Sequence, residues 1–383
     1  MQKAPGVIII EGHVQGLANT RLLGKAGIPV IVVDIGNCVA GHSKYCTEYY
    51  QCPDYASDAF AEFLLDLHAT KHLQDWLLLP SNDHAVHTIA KHKPRLKKCY
   101  KVITEDLVVI NKIYNKRELL NLALTAGLPI PESIFPQHEN PRHLDLRYPV
   151  IIKGNNGLNF YKRYHQKAII ANNDRELGET WLRTLMGIQP SEYFIQEVIP
   201  ARHKTVSVTV FALQGKVFEY WMGVKLREHP VTFGTATCCR SVFDQKMLEL
   251  SERLLGQLGY TGVCEIEWLR DPRDNSPKLI EINARTWLWV ELAAKCGVNY
   301  PLMIYDYLNR GSVPNHGSYP VNKTWINIYT DLPYLIQGLI KGIHKPMEIL
   351  GTYRSFTEAC WDWKDPLPFF MYGLLLGTFS QRR

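Results

Sequence analysis

Three side chains with hard oxygen donors stand close together in the segments 263–270 and 278–285, namely Glu267, Glu281 and Asn283. We predict that the two segments are neighbouring strands joined by a polar turn that contains proline. Residues two apart share a strand face, so these side chains are expected to lie side by side. Mg²⁺ takes a few protein carboxylates and completes its shell with water and nucleotide phosphate. The pattern therefore predicts a magnesium site.

The alternative for the two glutamates is that they are exposed positions on amphipathic strands. A single glutamate in a strand is usually of that kind. Glu267 and Glu281, however, have apolar neighbours in strands that are typical of a protein core. Acidic groups clustered in a core cost free energy unless a cation neutralises them. We therefore prefer the metal site.

A second candidate is Lys153, which closes the apolar run 148–153 just before the loop Gly154-Asn-Asn-Gly157. Isolated lysines are normally solvated surface residues. A lysine at the end of a buried strand is better explained by a bound anion. We predict that Lys153 is a point charge for a polyphosphate.

The elements that position these groups begin with alternating strands and helices. The apolar runs 6–10, 30–33 and 76–79 are typical of buried parallel strands, and a segment with helical spacing separates the first two. The third run is followed by Pro80-Ser-Asn-Asp83, which carries ligand-type residues at the carboxyl end of a strand. Residues 1–107 are therefore predicted to form a doubly wound α/β domain.

A second domain of α+β type is predicted to follow. A helix is expected over residues 111–126, with Gly127 as its stop and two prolines beyond. A further helix is expected over residues 287–295, and the last 70 or so residues, rich in Trp, Tyr, Pro and Gly, are expected to be less regular. The predicted strands of this domain cover residues 148–153, 193–199, 205–213, 217–224, 262–269 and 278–282.

Composition excludes several classes of protein. A chain of 383 residues predicts two or three domains. The formal charge of +6 falls short of the concentrated basic footprint of a nucleic-acid-binding protein, so no nucleic acid partner is expected. The nine cysteines lack CxxC spacing, which favours reduced thiols in the cytoplasm. The first apolar run is too short for a signal peptide, and none is expected.

The carboxyl-terminal tail is unusually apolar. Residues 366–379 contain no charged residue and are followed by Arg382 and Arg383. No stretch reaches the roughly 18 apolar residues of a membrane span. The tail could pack on the body of the protein or rest on an anionic membrane. We prefer packing.

The order Glu267, then Glu281-Ile-Asn283-Ala-Arg285, resembles the ATP-grasp superfamily. In that superfamily a Glu on one strand and a Glu-x-Asn on the next, followed by an Arg, hold two magnesium ions against the phosphates of ATP. The resemblance covers about residues 110–300, and the amino-terminal unit is similar to the domain that precedes ATP-grasp. It implies a two-lobed ATP-grasp domain after the doubly wound one.

The resemblance implies three regions: a Rossmann-like pre-ATP-grasp domain over residues 1–107, an ATP-grasp domain over residues 108–310 and a tail region over residues 311–383. The two lobes of the ATP-grasp domain would cover about residues 108–195 and 196–310.

The resemblance also implies roles in nucleotide binding. Lys116 and Lys153 correspond to the first and second basic residues on the phosphate side. The segment between the lobes would read adenine through backbone C=O and N–H groups, and it consists of Gln196, Glu197, Val198 and Ile199.

Substrate and catalytic residues are implied in the same way. Arg285 would stabilise charge on the transferred phosphoryl group and, with Lys153, is the predicted catalytic residue. Arg240 and residues 232–236 stand where related enzymes place substrate-facing loops, and a guanidinium can bind a carboxylate or phosphate bidentately.

The reaction implied by the resemblance is ligation of a carboxylate to an amine. ATP would phosphorylate the carboxylate, and an amine would then displace the phosphate. The cofactors would be ATP and two Mg²⁺ ions, with Mn²⁺ as an alternative, and the partners would be a small acid and a small amine. The run Glu-Ile-Asn-Ala-Arg-Thr-Trp is most similar to predicted carboxylate–amine ligases of the D-aspartate ligase type. The oligomeric state stays open, with a homodimer as one outcome.

Two other functions remain as alternatives. A catalytically silent nucleotide-binding protein would account for the glycine-poor loop 154–159 and for Lys204 at the usual place of a ribose-binding acid. A Rossmann-type oxidoreductase is suggested by Gly12-His-Val-Gln-Gly16 and by Asp34 after the second strand. That loop does not complete the GxGxxG fingerprint, and a dehydrogenase leaves the carboxylate cluster unexplained.

Overall fold

The structure is a computed structural model, and the part of the chain that it describes forms three β-sheets, each covered by helices. It describes residues 4–136, 146–156, 160, 163–164, 166, 168–185, 187–200, 205–229, 234–313, 317–340 and 346–379.

The first sheet confirms the doubly wound prediction. Its strand order is β3-β2-β1-β4-β5, and all five strands are parallel. Successive strands are added on one side of β1 up to β3 and on its other side from β4 onward. Sheets of this kind bind ligands at the point between β1 and β4 where the order of addition changes side. The central strands are fully buried because helices cover both faces. The strands are β1 Val7–Ile10, β2 Val30–Asp34, β3 Glu48–Gln51, β4 Trp76–Pro80 and β5 Tyr100–Val102, and the helices are Val14–Lys25, Asp58–Lys71, Asp83–Lys91 and Lys93–Leu96.

The second sheet is small and antiparallel. Its order is β6-β9-β7-β8, and its apolar face packs on the helix Asp174–Thr180 and on Trp181. The strand β7 carries the apolar run that ends at Lys153, as the sequence predicts. The strands are β6 Ser133–Ile134, β7 Val150–Gly154, β8 Ile169–Ala171 and β9 Tyr193–Glu197.

The third sheet has seven strands in the order β14-β13-β10-β11-β12-β15-β16 and is antiparallel except for the last pair. One face packs on the helix Gln245–Leu258, and the other packs on the helices Val290–Lys295 and Tyr300–Arg310. The strands are β10 Thr205–Leu213, β11 Lys216–His229, β12 Thr235–Ser241, β13 Gly262–Arg270, β14 Pro277–Asn283, β15 Thr324–Ile326 and β16 Thr357–Glu358.

The single helix expected over residues 111–126 is two helices, Leu107–Tyr114 and Lys116–Thr125. Asn115 separates them because its backbone is extended and its side chain accepts hydrogen bonds from the backbone N–H groups of Arg117 and Glu118, at 3.1 and 3.3 Å. An asparagine of this kind is a favoured helix N-cap. Lys116 therefore begins a helix instead of lying within one.

The helix predicted over residues 287–295 begins three residues later, at Val290. Trp287 and Trp289 precede it and are almost fully buried. Both pack on Trp221 of the large sheet, with ring centroids 6.4 and 5.4 Å away. The packing of these two large rings fixes the chain in a non-helical turn.

The tail region is more regular than predicted. It adds β15 and β16 to the large sheet and forms the helices Ile328–Ile340, Pro346–Tyr353 and Leu367–Phe379. Tyr372 is buried and its hydroxyl accepts a hydrogen bond from Asn327 at 3.1 Å. The expectation of an irregular tail is therefore wrong.

The tail also packs on the first domain, which is the alternative that the sequence favours. The buried guanidinium of Arg21 pairs with Asp365 at 2.9 Å, and each side chain is only 2% exposed. Ser43 donates to the same carboxylate at 2.6 Å. A buried ion pair with further hydrogen bonds fixes one geometry, because breaking it leaves an unpaired charge out of water. Within the described residues, no helix is long and apolar enough to span a membrane.

Candidate active site

The three predicted metal ligands lie on one face of two adjacent strands. In the register of β13 and β14, Glu267 stands directly opposite Glu281, and Glu265 stands opposite Asn283. Directly opposed residues of an antiparallel pair point to the same side of the sheet. The structure therefore brings Glu267, Glu281 and Asn283 together as the sequence predicts.

Each of the two opposed carboxylates has a lysine partner. Lys116 Nζ lies 2.8 Å from Glu281 Oε2, and Lys225 Nζ lies 3.0 and 3.1 Å from the two oxygens of Glu267. The charge of Lys116 holds the pKa of Glu281 well below its usual range. Burial opposes the charged form of Lys225, but Glu267 and Glu265 outweigh it and raise the pKa of that lysine. Lys225 therefore remains charged at neutral pH.

Glu265 and Lys225 are two site residues that the sequence analysis did not select. Glu265 is buried, accepts hydrogen bonds from Ser207 Oγ at 2.7 Å and Asn283 Nδ2 at 3.0 Å, and has its pKa raised to about 7 by burial and by the charge of Glu267. Because Asn283 gives its N–H to Glu265, its amide oxygen is directed away from that carboxylate. The amide oxygen of Asn283 is the atom that can bind a hard cation.

Lys153 projects from the end of β7 toward the same region. Its Nζ lies 3.2 Å from the side-chain oxygen of Gln196. Burial, followed by the nearby charge of Lys116, lowers the pKa of Lys153 to about 8. Two cations held near each other favour the binding of a polyanion.

Replacing Lys153 with Ala is expected to weaken the binding of Mg-ATP by about 1.5–3 kcal/mol, the range for a hydrogen bond to a charged group. Isothermal titration calorimetry measures the affinity directly. Lys246→Ala, which removes an exposed lysine from the helix Gln245–Leu258, is the matched control and should bind as the unaltered protein does. Equal affinities for the two variants would contradict the role of Lys153.

The predicted adenine-binding segment begins at the end of β9. The backbone N–H groups of Glu197 and Val198 donate to Glu132 O and Pro149 O at 2.9 and 3.0 Å. The Glu197 carboxylate accepts the backbone N–H of Glu132 at 3.0 Å and pairs with Arg273 at 2.6 Å. Neither N–H group is available to a nucleotide in this arrangement. The C=O of Glu197 and the N–H of Ile199 are the groups that we retain for adenine.

Arg285 connects the carboxylate cluster to the first domain. Its Nε and Nη2 atoms donate to the two oxygens of Asp83 at 2.8 and 3.3 Å, and Nη2 lies 3.4 Å from the amide oxygen of Asn283. Asp83 is the first residue of the helix that follows β4, and it also accepts from the hydroxyl of Tyr114 at 3.3 Å. The two-point contact fixes the plane of the guanidinium.

Arg240 does not join this cluster. It stands opposite Val224 in the pairing of β11 and β12, whereas the neighbouring Lys225 stands opposite Cys239. Because Lys225 contacts Glu267, the alternation of side chains places Arg240 on the other face of the sheet. Of the loop assigned to the substrate with it, Thr235 and Ala236 belong to β12.

Several predicted residues lie outside the part of the chain that the structure describes. They are residues 157–159 of the glycine-poor loop, Lys204, Thr232, Phe233, Arg382 and Arg383.

The donor set fits magnesium only as part of a nucleotide complex. Among the described residues, no group of three or more His, Cys, Asp or Glu side chains is arranged to hold a metal ion. Two opposed carboxylates and one amide oxygen are nevertheless the few hard ligands that Mg²⁺ accepts when phosphate and water complete its shell. Glu267, Glu281 and Asn283 are therefore the residues that would hold it.

Comparison with known proteins gives one similar curated sequence at a significant level, and no family model matches. The D-aspartate ligase of Enterococcus faecium (strain Aus0004) is 23% identical over 223 residues, which cover 55% of this chain and 53% of that protein. The chain thus matches about half the length of this relative.

Solved structures match over much more of the chain. The L-amino acid ligase of Bacillus licheniformis has a TM-score of 0.60 at 15% identity and covers 81% of this chain and 75% of its own. The N5-carboxyaminoimidazole synthetase of Staphylococcus aureus has a TM-score of 0.65 at 16% identity, with coverage of 89% and 87%. The biotin carboxylase of Campylobacter jejuni has a TM-score of 0.66 at 15% identity, with coverage of 84% and 74%.

These neighbours share the two-lobed ATP-grasp architecture, and the fold of this chain is the ATP-grasp fold. Within it, the sequence is similar to that of a D-aspartate ligase. The predicted fold class and the predicted resemblance to carboxylate–amine ligases are both confirmed.

Proposed function

We propose that the protein is an ATP-dependent ligase that joins a carboxylate to an amine through an acyl phosphate. The observation that carries this proposal is the opposed pair Glu267 and Glu281, with Asn283 beside them and the ammonium groups of Lys116 and Lys225 in contact with them. Alternating anions and cations at a domain boundary suit a metal-bound polyphosphate.

In this proposal the residues act mainly by position and charge. Lys116 and Lys153 hold the phosphates, and the backbone of Glu197 and Ile199 holds adenine. Magnesium, when bound by Glu267, Glu281 and Asn283, neutralises charge on the phosphates. Reactants that are aligned and shielded from water react faster, because neither the reactants nor the surrounding dipoles have to reorganise much to reach the transition state.

Arg285 is proposed to bind the group that receives the phosphoryl. Its guanidinium is held in one plane by Asp83 and adjoins Asn283, so it can stabilise negative charge that develops beside the metal ligands. A polar cavity of about 460 Å³ lies next to Tyr114, which contacts Asp83, and Asn111, Asn155 and Arg163 also line it. We assign this cavity to the acid or amine substrate.

The remaining features of the proposal concern the setting of the reaction. Cysteines without CxxC spacing and the proposed use of ATP support a cytoplasmic location. The relative that the sequence matches is named for D-aspartate, which makes amino acids the first amines and acids to supply. We propose Mg²⁺ as the ion, two per site, and leave a homodimer open. A silent nucleotide-binding protein is the second candidate because the glycine-poor loop is unusual for the fold.

The products test this proposal. With a suitable acid and amine, the protein is expected to release ADP and phosphate, because the metal carboxylates and lysines present the γ-phosphate to the acceptor. Hydroxylamine supplied in place of the amine should trap the acyl phosphate as a hydroxamate. A panel of amino acids, including D-aspartate, would be screened by ADP release. AMP and pyrophosphate as products would refute the mechanism, and the absence of any Mg²⁺-dependent ATP hydrolysis would favour the silent binding protein.

A further inference from the structure

The helix Leu367–Phe379 has two apolar faces, although only one of them packs on the protein. It contains 13 residues and no charged side chain. One face buries Tyr372 and Leu375 in the core of the molecule. The other exposes Leu367, Phe370 and Leu374, which are 51%, 55% and 76% exposed. A helix on the surface of a soluble domain normally turns polar side chains to water. The exposed face therefore needs a separate explanation.

Trp363 extends this apolar face. Its side chain is 85% exposed, and its ring lies 5.0 Å from that of Trp361, which in turn lies 6.1 Å from the ring of Phe370. Together the exposed side chains form a contiguous surface that we call the aromatic patch, and its members are Trp363, Leu367, Phe370 and Leu374.

Lysines border the aromatic patch. Lys364 is exposed next to Trp363. Lys25 pairs with Asp362 at 2.5 Å, and Lys44 is exposed where its backbone N–H donates to Asp365 at 2.9 Å. Both nearby aspartates already have cationic partners, since Asp365 pairs with Arg21. The border of the patch therefore presents positive charge.

A second apolar face continues from the first. The ring of Tyr329, at the start of the helix Ile328–Ile340, lies 4.9 Å from that of Phe369. The acid of this helix, Asp331, is fully buried in an ion pair with Arg227 at 2.7 Å. Four large apolar side chains of the helix are exposed, Leu332, Ile336, Leu339 and Ile340, and Gln337 is exposed among them.

We propose that the aromatic patch and the adjoining helix face dock on the surface of an anionic lipid membrane. Exposed Trp, Phe and Leu beside Lys is the composition of helices that lie in the interface between headgroups and acyl chains. The lysines match the negative charge of such a surface. The helices of 13 residues are too short to cross a bilayer, which needs about 20 residues, so they lie on it.

A protein partner fits this surface less well. Protein interfaces carry hydrogen-bonding groups, about one bond per 100–200 Å². Neither helix exposes a charged side chain, and Gln337 is the one long polar side chain among their described exposed residues. The inference is independent of the proposed ligase activity, because the patch shares no residue with the candidate active site.

Co-sedimentation with vesicles tests the proposal on the full chain. The unaltered protein is expected to bind vesicles made of equal parts phosphatidylglycerol and phosphatidylcholine, and to bind phosphatidylcholine alone more weakly. The triple variant Trp363→Ser, Phe370→Ser, Leu374→Ser should lose at least about tenfold in vesicle affinity, because each large apolar side chain that leaves water stabilises binding. Lys44→Gln with Lys364→Gln should reduce only the preference for anionic vesicles.

The control is a triple variant that removes equally exposed apolar side chains elsewhere, Val108→Ser, Leu124→Ser, Leu182→Ser, and it should bind as the unaltered protein does. Circular dichroism of each variant verifies folding. Failure of the unaltered protein to bind anionic vesicles would overturn the proposal. So would sedimentation equilibrium that shows a dimer abolished by the patch variant, because a second copy of the chain would then cover this surface.

Discussion

Glu281→Gln and Glu267→Gln are each expected to lower the rate of Mg²⁺-dependent ATP turnover on the order of 10²–10³-fold, the range for loss of one group that stabilises transition-state charge. The two carboxylates face each other across β13 and β14, and each substitution removes one negative charge with almost no change in volume. The assay is ADP release at saturating ATP, repeated over a range of Mg²⁺ concentrations. Part of the loss should be recovered at high Mg²⁺ if the carboxylates bind the ion.

Stability has to be measured in the same variants, because each glutamate neutralises a lysine. Loss of the Glu281 charge leaves Lys116 without its partner, and loss of the Glu267 charge does the same to Lys225. An unpaired cation in a partly buried site destabilises the folded state. Glu249→Gln, on an exposed face of the helix Gln245–Leu258, is the control. Turnover within a few-fold of normal in both site variants would refute the metal assignment.

The two lysine contacts imply a competition within the site. In the arrangement described here, Lys116 and Lys225 occupy positions against the carboxylates that would bind the ion. A divalent cation and an ammonium group compete for the negative charge of the same carboxylate. We expect Lys116 to move toward the phosphates as the ion binds, since it carries a flexible four-carbon chain.

The core of the candidate site was predictable because side chains alternate between the two faces of a β-strand, with a period of two residues. Glu281 and Asn283 share a face of any regular strand, and the register of β13 and β14 places Glu267 on the same face. The same alternation carries a signal for Glu265, two residues before Glu267. That residue could have been found from the sequence.

Lys225 and Arg240 show where such reasoning ends. Lys225 reaches Glu267 from a strand 42 positions away in sequence, and only the register of β10, β11 and β13 brings them together. A shift of one residue reverses the face of a side chain. Arg240 is one residue from Cys239, which shares the face of Lys225, and nothing local in the sequence fixes that register.

The tail illustrates a different limit, which is the interpretation of proline. Pro333 lies inside one tail helix, and Pro346 and Pro368 lie in the first turns of the others. Proline is well tolerated in the first turn, where its missing N–H has no partner to lose. The prediction of an irregular tail rested on its richness in Trp, Tyr, Pro and Gly, which does not show where each proline stands in a helix. Tertiary packing of residues such as Tyr372 stabilises these helices.

Arg285→Lys is expected to lower kcat on the order of 10²–10³-fold with little change in the KM for ATP. A lysine keeps the charge but cannot form the two-point contact with Asp83 that fixes the guanidinium plane. Asp83→Asn should lower kcat by about 10–100-fold, the range for a residue that orients a functional side chain through hydrogen bonds. These outcomes would identify Asp83 as a positioning residue that the first domain contributes to the candidate site.

The double variant separates positioning from general stability. If Asp83 acts through Arg285, the effects of Asp83→Asn and Arg285→Lys on kcat should not add. The reason is that Arg285→Lys already removes the guanidinium group that Asp83 orients. Asp58→Asn is the matched control, since Asp58 also pairs with a cation, Lys91, but on the exposed surface of the same domain. Exposed ion pairs contribute little, so its kcat should be unchanged. Strictly additive losses would assign Asp83 a structural role only, and an unchanged kcat in Arg285→Lys would remove Arg285 from the reaction.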